Sequence, residues 1–366
     1  MKIRAALAPS LDGDFEFAEL EMDAPAADEI LVEVEACGIC HTDVSARTYM
    51  QLPAVLGHEG TGRVLARGAD VHDIAVGDTV IMSYGWCGHC GNCRSGHAYT
   101  CERGVEGSIG GRRFDGSNTL RRDGAPVSGA FFQQSAFASH ALCPARDAVV
   151  VPPDLPPALR AALPCGVMTG AGSVLNVFAM SAGETLAVFG AGAVGLSAVM
   201  AARLAGAATI VAVDVHAGRL ELARRLGATH TVDATQSDVA GRLREIAPGG
   251  FNFSLETSSN QDAFAAAVGC LGMRGTCGLV TVPHGGQPFP FSPFDLMVKG
   301  ARLQGIMLGA ATPRRFIPEL IEFHRQGRFP LDALISTYAF GDINRAFCDA
   351  KAGSALKPVL LMRDRE

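Results

Sequence analysis

Four cysteines fall within fifteen residues in the stretch WCGHCGNCRSGHAYTC, at Cys87, Cys90, Cys93 and Cys101. The pattern Cys-x2-Cys-x2-Cys-x7-Cys gathers four soft thiolates about one centre, which suits tetrahedral Zn2+ at roughly 2.3 Å from each sulfur. Sulfur then fills every coordination position, so such a site holds structure and does no chemistry. An iron–sulfur cluster is the competing reading of the spacing. No proline follows the fourth cysteine, and a single loop site in a chain that also carries a nucleotide-binding turn favours zinc.

A second set is spread along the chain. GICHTD contributes Cys40, GHEG contributes His58 with Glu59 beside it, and LPCGVMTG contributes Cys165. Two thiolates and an imidazole leave one position for water or substrate, which is the catalytic arrangement of zinc. Taken singly, each residue has an ordinary explanation, since a buried cysteine is usually core and a buried histidine a satisfied hydrogen-bonder. Their co-occurrence with two other motifs carries the weight.

The third motif lies in TLAVFGAGAVGLSAVMAA, Thr185 to Ala202, a stretch without charge and long enough for a minimal membrane span. Gly190, Gly192 and Gly195 interrupt it as G-x-G-x-x-G. The run therefore reads as a buried strand over Leu186 to Phe189, a tight turn and a helix from about Ala193. Glycine permits the turn and lets a pyrophosphate approach the main chain, and the helix N-terminus offers it free N–H groups. A second strand, ATIVAVD, ends in Asp214, where an acid accepts the adenosine ribose hydroxyls and repels a 2′-phosphate. NAD is favoured over NADP on that ground; a capping role at a strand end is the plain alternative for Asp214. Apolar segments near 229–232, 251–255, 276–281 and 303–308 alternate with helical patterns, which predicts a six-stranded doubly wound sheet.

These motifs need a scaffold. At 366 residues the chain exceeds one core, so two domains are expected. Apolar residues at 48% against 19% charged exclude disorder. Net charge is −6, and the basic residues form scattered pairs (Arg112-Arg113, Arg121-Arg122, Arg224-Arg225, Arg314-Arg315), which excludes a nucleic-acid stripe and reads as solvated surface. Asp12, Asp14 and Glu16 interrupt any apolar leader, so a cytoplasmic location is expected. There eleven cysteines argue for metal or catalytic roles over disulfides.

Outside the nucleotide-binding pattern, Glu29 to Ala36 alternates as a half-buried antiparallel strand, and Val80 to Met82 reads as another. Gly104 to Gly129 has little periodicity and reads as a long ordered loop. RRFIPELIEFHRQG and GDINRAFCDAKAG read as amphipathic helices, the second capped by Asp342 and stopped near Gly353.

GICHTD, GHEGTG, CGHCGNC, PCGVMTG and GAGAVG, in that order, resemble the zinc-dependent medium-chain alcohol dehydrogenases over essentially the whole chain. FFQQSAFASHA, GVMTGAG, RRFIPELIEFHRQGRFP and LKPVLL resemble its bacterial aryl-alcohol (benzyl alcohol) and geraniol branch. The resemblance implies an α/β protein: a GroES-like catalytic domain from 1–165 and 309–366, and a Rossmann domain over 166–308. It implies two zinc ions per chain and NAD, no nucleic-acid or membrane partner, and a homodimer or homotetramer.

Residue roles follow from the same resemblance. Cys40, His58 and Cys165 hold a Lewis-acid zinc, Thr42 takes the alcohol proton into a relay, Asp43 steadies the imidazole, and Glu59 lies behind the metal. His41 faces the cofactor pyrophosphate and Thr169 the nicotinamide; Val194, Arg219 and Lys357 join the glycines and Asp214 in the cofactor set. Ser45 stands where many members carry the relay's last histidine. Ser83, Phe131, Phe132, Val282 and Met307 line the substrate pocket, and their lack of charge disfavours hydroxy acids and polyols. Core packing is the plain alternative for each phenylalanine. Besides an aromatic or allylic alcohol dehydrogenase, the candidates are a glutathione-dependent formaldehyde dehydrogenase, anchored by Arg112 or Arg113, and a non-catalytic zinc and nucleotide binder.

Overall fold

The computed structural model describes residues 1–236, 238–281, 288 and 290–362. It divides into two compact units. One comprises Met1–Cys165, Thr312–Ile321 and Leu331–Glu366; the other comprises Gly166–Ala311 and Glu322–Pro330. The segment Glu322–Pro330, which the sequence groups with the flanks, clusters with the second unit.

In the second unit six parallel strands run in the order His230–Asp233, Thr209–Asp214, Thr185–Phe189, Phe251–Glu256, Leu271–Leu279, Arg302–Gly305. The order reverses between Thr185–Phe189 and Phe251–Glu256, and the crevice at such a switch point is where doubly wound sheets bind nucleotides. Buried runs such as TLAVF and TIVAVD suit strands covered on both faces, and Phe189, Val211, Val213, Phe251 and Phe264 share one core. The uncharged stretch from Thr185 resolves into a strand and the helix Ala193–Leu204. Among the described residues a different segment, Pro157–Val177, is the helix long and apolar enough to span a membrane by composition. With 72% of its apolar window buried inside the protein, it serves as a core helix.

The first unit holds two sheets. A five-stranded sheet runs Ala54–Val55, Lys2–Ala8, Glu16–Met22, Leu120–Arg122, Ala125–Val127. The other runs Ala148–Val150, Thr79–Met82, Gly60–Arg67, Glu29–Gly38, Lys357–Leu361, Ile335–Ala339, with His140–Pro144 also on Glu29–Gly38. Glu29–Gly38 pairs antiparallel with Gly60–Arg67, burying Ile30, Val32 and Val34 while Glu33 and Glu35 stay half-exposed.

Three expectations are corrected. Gly104 to Gly129 is no continuous loop: it contains the helix Gly104–Ile109 and the strands Leu120–Arg122 and Ala125–Val127. Ion pairs make this possible, because Arg113 forks onto Glu29 at 2.7 and 3.0 Å and Arg121 meets Asp23 at 2.5 Å. Arg113 is therefore an internal tie, with its side chain 13% exposed; Arg314, which donates to the carbonyls of Ala145 and Ala148, stays exposed as the surface reading expects. Asp342 occupies the N-cap position of Ile343–Ala352 without a side-chain capping bond, whereas Gly353 ends that helix at φ 77°.

Candidate active site

Cys40 precedes the short helix His41–Ala46, and Asp43 closes the turn by accepting the Cys40 N–H at 2.8 Å. The same buried carboxylate accepts the Gly57 N–H and faces His58 Nδ1, both at 3.1 Å. That contact orients the ring so that Nε2 points to Cys165 Sγ, 3.4 Å away, with Cys40 Sγ 3.9 Å from Cys165 Sγ. Cys165 sits where the core helix widens to π geometry over Leu163–Val167, a distortion frequent at functional sites. One ligand atom each from Cys40, His58, Glu59 and Cys165 lies within 4.8 Å of the others.

The donor set fits a divalent cation. Hydrogen bonding from Cys165 holds the Cys40 thiol well below its usual range, while Cys40 and burial push Cys165 well above it. Two thiols, an imidazole and a carboxylate converge in one site, and a bound cation is what would stabilise both thiolates. Behind the cluster, buried Glu59 pairs through Oε2 with Lys357, and its Oε1 has no partner. Lys357 is expected among the cofactor residues; here it is 2% exposed, with its ammonium on Glu59 and on the Ile39 carbonyl at 3.4 Å. Burial is the largest single influence and opposes its charge, but Glu59 together with the Cys40 and Cys165 thiols raises its pKa on balance.

Beside His58 stands an aromatic wall. Phe132 stacks on the imidazole with centroids 4.5 Å apart and 26° between planes, and Phe131 meets it edge-on at 5.3 Å. The wall rides on a strained loop: Phe132, Gln133 and Ser135 have φ of 50°, 57° and 48°, in the left-handed region. Ser83 is buried, with Oγ 3.5 Å from the Pro164 carbonyl. Thr42 Oγ1 lies 3.6 Å from Cys40 Sγ, and Ser45 Oγ donates to the Thr42 carbonyl at 3.3 Å. His41 is exposed. In the second unit Met307 is 58% exposed, and Val282 lies outside the described residues.

The cysteine loop closes on itself. Ligand atoms of Cys87, Cys90, Cys93 and Cys101 lie within 4.8 Å of one another, with Cys87–Cys93 at 3.8 Å and Cys90–Cys93 at 3.3 Å. Tetrahedral zinc with sulfur at about 2.3 Å puts sulfurs about 3.8 Å apart, so the loop fits the ion. The Cys93 N–H donates to Cys90 Sγ and the Cys87 N–H to Cys101 Sγ.

In the second unit the glycine turn has the required shape. Gly190 has φ 94°, and a Cβ on Gly195 would stand 1.8 Å from the Gly190 carbonyl oxygen. A Cβ on Gly192 would meet open space at the N-terminus of Ala193–Leu204, which is room for a pyrophosphate. Val194 lies in the first turn of that helix. Asp214 accepts the Ala191 N–H at 2.6 Å and the His216 N–H at 2.8 Å, with Arg219 at 4.0 Å. Thr169 is half-buried in the helix Met168–Gly172. Two buried residues escaped the sequence reading. Gln134 donates to the carbonyl of His58, and Glu256 accepts from Ser258, Ser259 and Thr281 at the switch point. Neither has a local signal, since each acts through partners that only the fold supplies.

Residues 26–153 match the alcohol dehydrogenase GroES-like domain, and residues 193–325 match the zinc-binding dehydrogenases. The geraniol dehydrogenase of Castellaniella defragrans is 40% identical over 362 residues, covering 98% of this chain and 97% of its own. Among solved structures, the alcohol dehydrogenase zinc-binding domain protein from Burkholderia ambifaria has a TM-score of 0.97 at 43% identity, covering all of both chains. The benzyl alcohol dehydrogenase from Acinetobacter calcoaceticus has a TM-score of 0.95 at 39% identity, over 99% of this chain and 100% of its own. Zinc and NAD are the cofactors that such relatives bring. With both family models matched in order and a relative aligned over nearly its whole length, the chain belongs to the zinc-dependent medium-chain alcohol dehydrogenases, near their aryl-alcohol and geraniol branch.

Proposed function

We propose that the enzyme interconverts primary aromatic or allylic alcohols of the benzyl alcohol type with their aldehydes, moving hydride to and from NAD. The observation that carries this reading is the stacking of Phe132 on His58, with Phe131 against the ring edge. A planar unsaturated group beside the fourth metal position meets ring faces there, and small, buried Ser83 leaves it room. A substrate with a charged or polyhydroxylated tail finds no charged side chain among Phe131, Phe132 and Ser83, and the Ser83 hydroxyl already faces the Pro164 carbonyl.

Cys40, His58 and Cys165 would hold a zinc ion, which would supply Lewis acidity toward the alcohol oxygen. The chain's own residues do the rest. With Nδ1–H donated to Asp43, His58 keeps the Nε2 lone pair for the metal. Thr42 accepts the substrate's hydroxyl proton as it gives up its own to the next group of the relay, so its hydroxyl stays neutral, and Lys357 holds Glu59 in place behind the cluster. Residues 1–165 and 309–366 form the catalytic domain in this reading, and 166–308 the cofactor domain. Oxidation of a glutathione adduct requires a free cation at the pocket mouth. Arg113 is already paired with Glu29, whereas exposed Arg112 donates only to neutral Gln51 at 3.1 Å and keeps its charge, so that alternative rests on Arg112.

An NADH-formation screen of the purified protein tests the reading. Benzylic and allylic alcohols are expected to exceed ethanol by about tenfold or more in kcat/KM. No turnover with any of them, or turnover only of the formaldehyde–glutathione adduct, sinks it.

Asp214 is proposed to select NAD, since its carboxylate, held by two backbone N–H groups, keeps lone pairs for the ribose hydroxyls. Asp214→Gly is expected to narrow or reverse the NAD:NADP ratio of kcat/KM. Equal use of both cofactors by the unmodified enzyme removes this role.

A further inference from the structure

We propose that Gln134 is a positioning residue that sets the preference for planar substrates by holding Phe132 against His58; the inference rests on the aromatic-alcohol reading. Gln134 is 1% exposed, and both its amide N–H donors and its amide oxygen are engaged. Nε2 donates to the His58 carbonyl and to the Ser83 carbonyl, both at 2.9 Å, and Oε1 accepts the Gly60 N–H at 3.0 Å. Two carbonyls and one N–H admit a single orientation of the amide. Its partners are a metal-cluster residue, a pocket residue and the residue after Glu59. One side chain thus joins the His58–Gly60 segment, the Ser83 segment and the aromatic wall.

The loop cannot hold this geometry by itself. Three left-handed non-glycine residues in five persist only when surrounding bonds over-determine them. Ser135 contributes by accepting the Phe131 N–H at 2.9 Å and donating to the Val55 carbonyl at 2.6 Å. Those bonds fasten the loop to the segment before His58, and Gln134 alone among the described residues bonds it to His58 itself. A Cβ on Gly60 would stand 2.6 Å from Ala136 Cβ and 3.1 Å from Gln134 Oε1, so strand and loop are in close contact. A shift of the loop is transmitted to the imidazole and its stacked ring, with no gap to absorb it.

The test replaces the amide with an apolar side chain of similar length, Gln134→Met. We expect the benzyl alcohol to ethanol ratio of kcat/KM to fall roughly tenfold or more, because misplacing a positioning group by about 1 Å costs up to a hundredfold. The visible d–d bands of the enzyme with cobalt in the catalytic site are expected to shift as well. A merely structural role lowers the melting temperature and both substrates in proportion, with the bands unchanged, and that outcome overturns the proposal. Gln134→Glu, which keeps the Gly60 bond but presents an anion to two carbonyls, is the second variant if the first does not fold. The same loss of ratio and shift of bands are expected of it. Should the parent enzyme show no aromatic preference at all, the functional reading fails, and the cobalt bands alone decide whether Gln134 positions His58.

Discussion

Cys165→Ser is expected to leave a folded protein with one zinc per chain and turnover reduced by about three orders of magnitude, whereas Cys93→Ser is expected to lower the melting temperature sharply. The two clusters differ in where their stabilising energy acts. Cys87, Cys90, Cys93 and Cys101 all come from one loop, and three of the four are buried. Among described residues the apolar partners of that cluster are few, chiefly Trp86 and Phe114, so the loop's order depends on the ion. Structural zinc contributes on the order of 10 kcal/mol in small metallo-domains, and losing one thiolate forfeits much of it. Cys165 belongs instead to a helix whose neighbours Ala161, Ala162, Leu163 and Val167 are fully buried, so packing keeps it in place without metal.

A serine hydroxyl at position 165 stays protonated near neutral pH and binds zinc weakly, which leaves the open site two strong ligands. Loss of several kcal/mol of Lewis-acid stabilisation corresponds to the stated fall in rate. Elemental analysis, steady-state kinetics and thermal melts on the two variants read all three quantities. Two zinc ions in Cys165→Ser, or one zinc or iron in the parent, removes one of the assignments. A chelator is expected to strip the open site first, because its fourth position admits a competing ligand.

The cysteine loop is legible from residue types alone, since fifteen consecutive positions contain all the ligands. The open site is legible only from its motifs taken together, because Cys40, His58 and Cys165 are far apart in the chain and meet through the fold. The nucleotide-binding sheet is legible because Thr185–Phe189 and Thr209–Asp214 are long apolar runs with a glycine turn at one end and an acid at the other. The stretch from Gly104 fails for the opposite reason: GVEGSI is a six-residue helix with two glycines, and three-residue strands are too short to alternate. Glu59 and Lys357 are 298 positions apart, so nothing near either one announces the pair. Gln134 is invisible for the same reason, with partners 51 to 76 positions away.

Thr42→Ala is expected to lower kcat for alcohol oxidation about a hundredfold or more, within the usual range for removing a proton-transfer group. Thr42 Oγ1 lies 3.6 Å from Cys40 Sγ, beside the cluster, on a half-buried turn where a water would need room that the methyl of alanine does not fully vacate. Thr42→Ser keeps the hydroxyl and is expected to recover most of the loss. Beyond Thr42 the path lacks a fixed base. Ser45 shares a helix face with Thr42, but its hydroxyl donates to the Thr42 carbonyl and has a pKa far above neutrality. A histidine there, with an ordinary pKa near 6.5, accepts a proton at neutral pH and loses that ability as it becomes protonated below its pKa. Ser45→His is therefore expected to raise kcat most near pH 7, with the gain fading under acid conditions and vanishing where hydride transfer or product release limits the rate. Profiles of kcat against pH for the parent, Thr42→Ala, Thr42→Ser and Ser45→His check the relay together. Parental activity in Thr42→Ala means that the proton leaves directly to solvent, and the relay is then wrong from its first step.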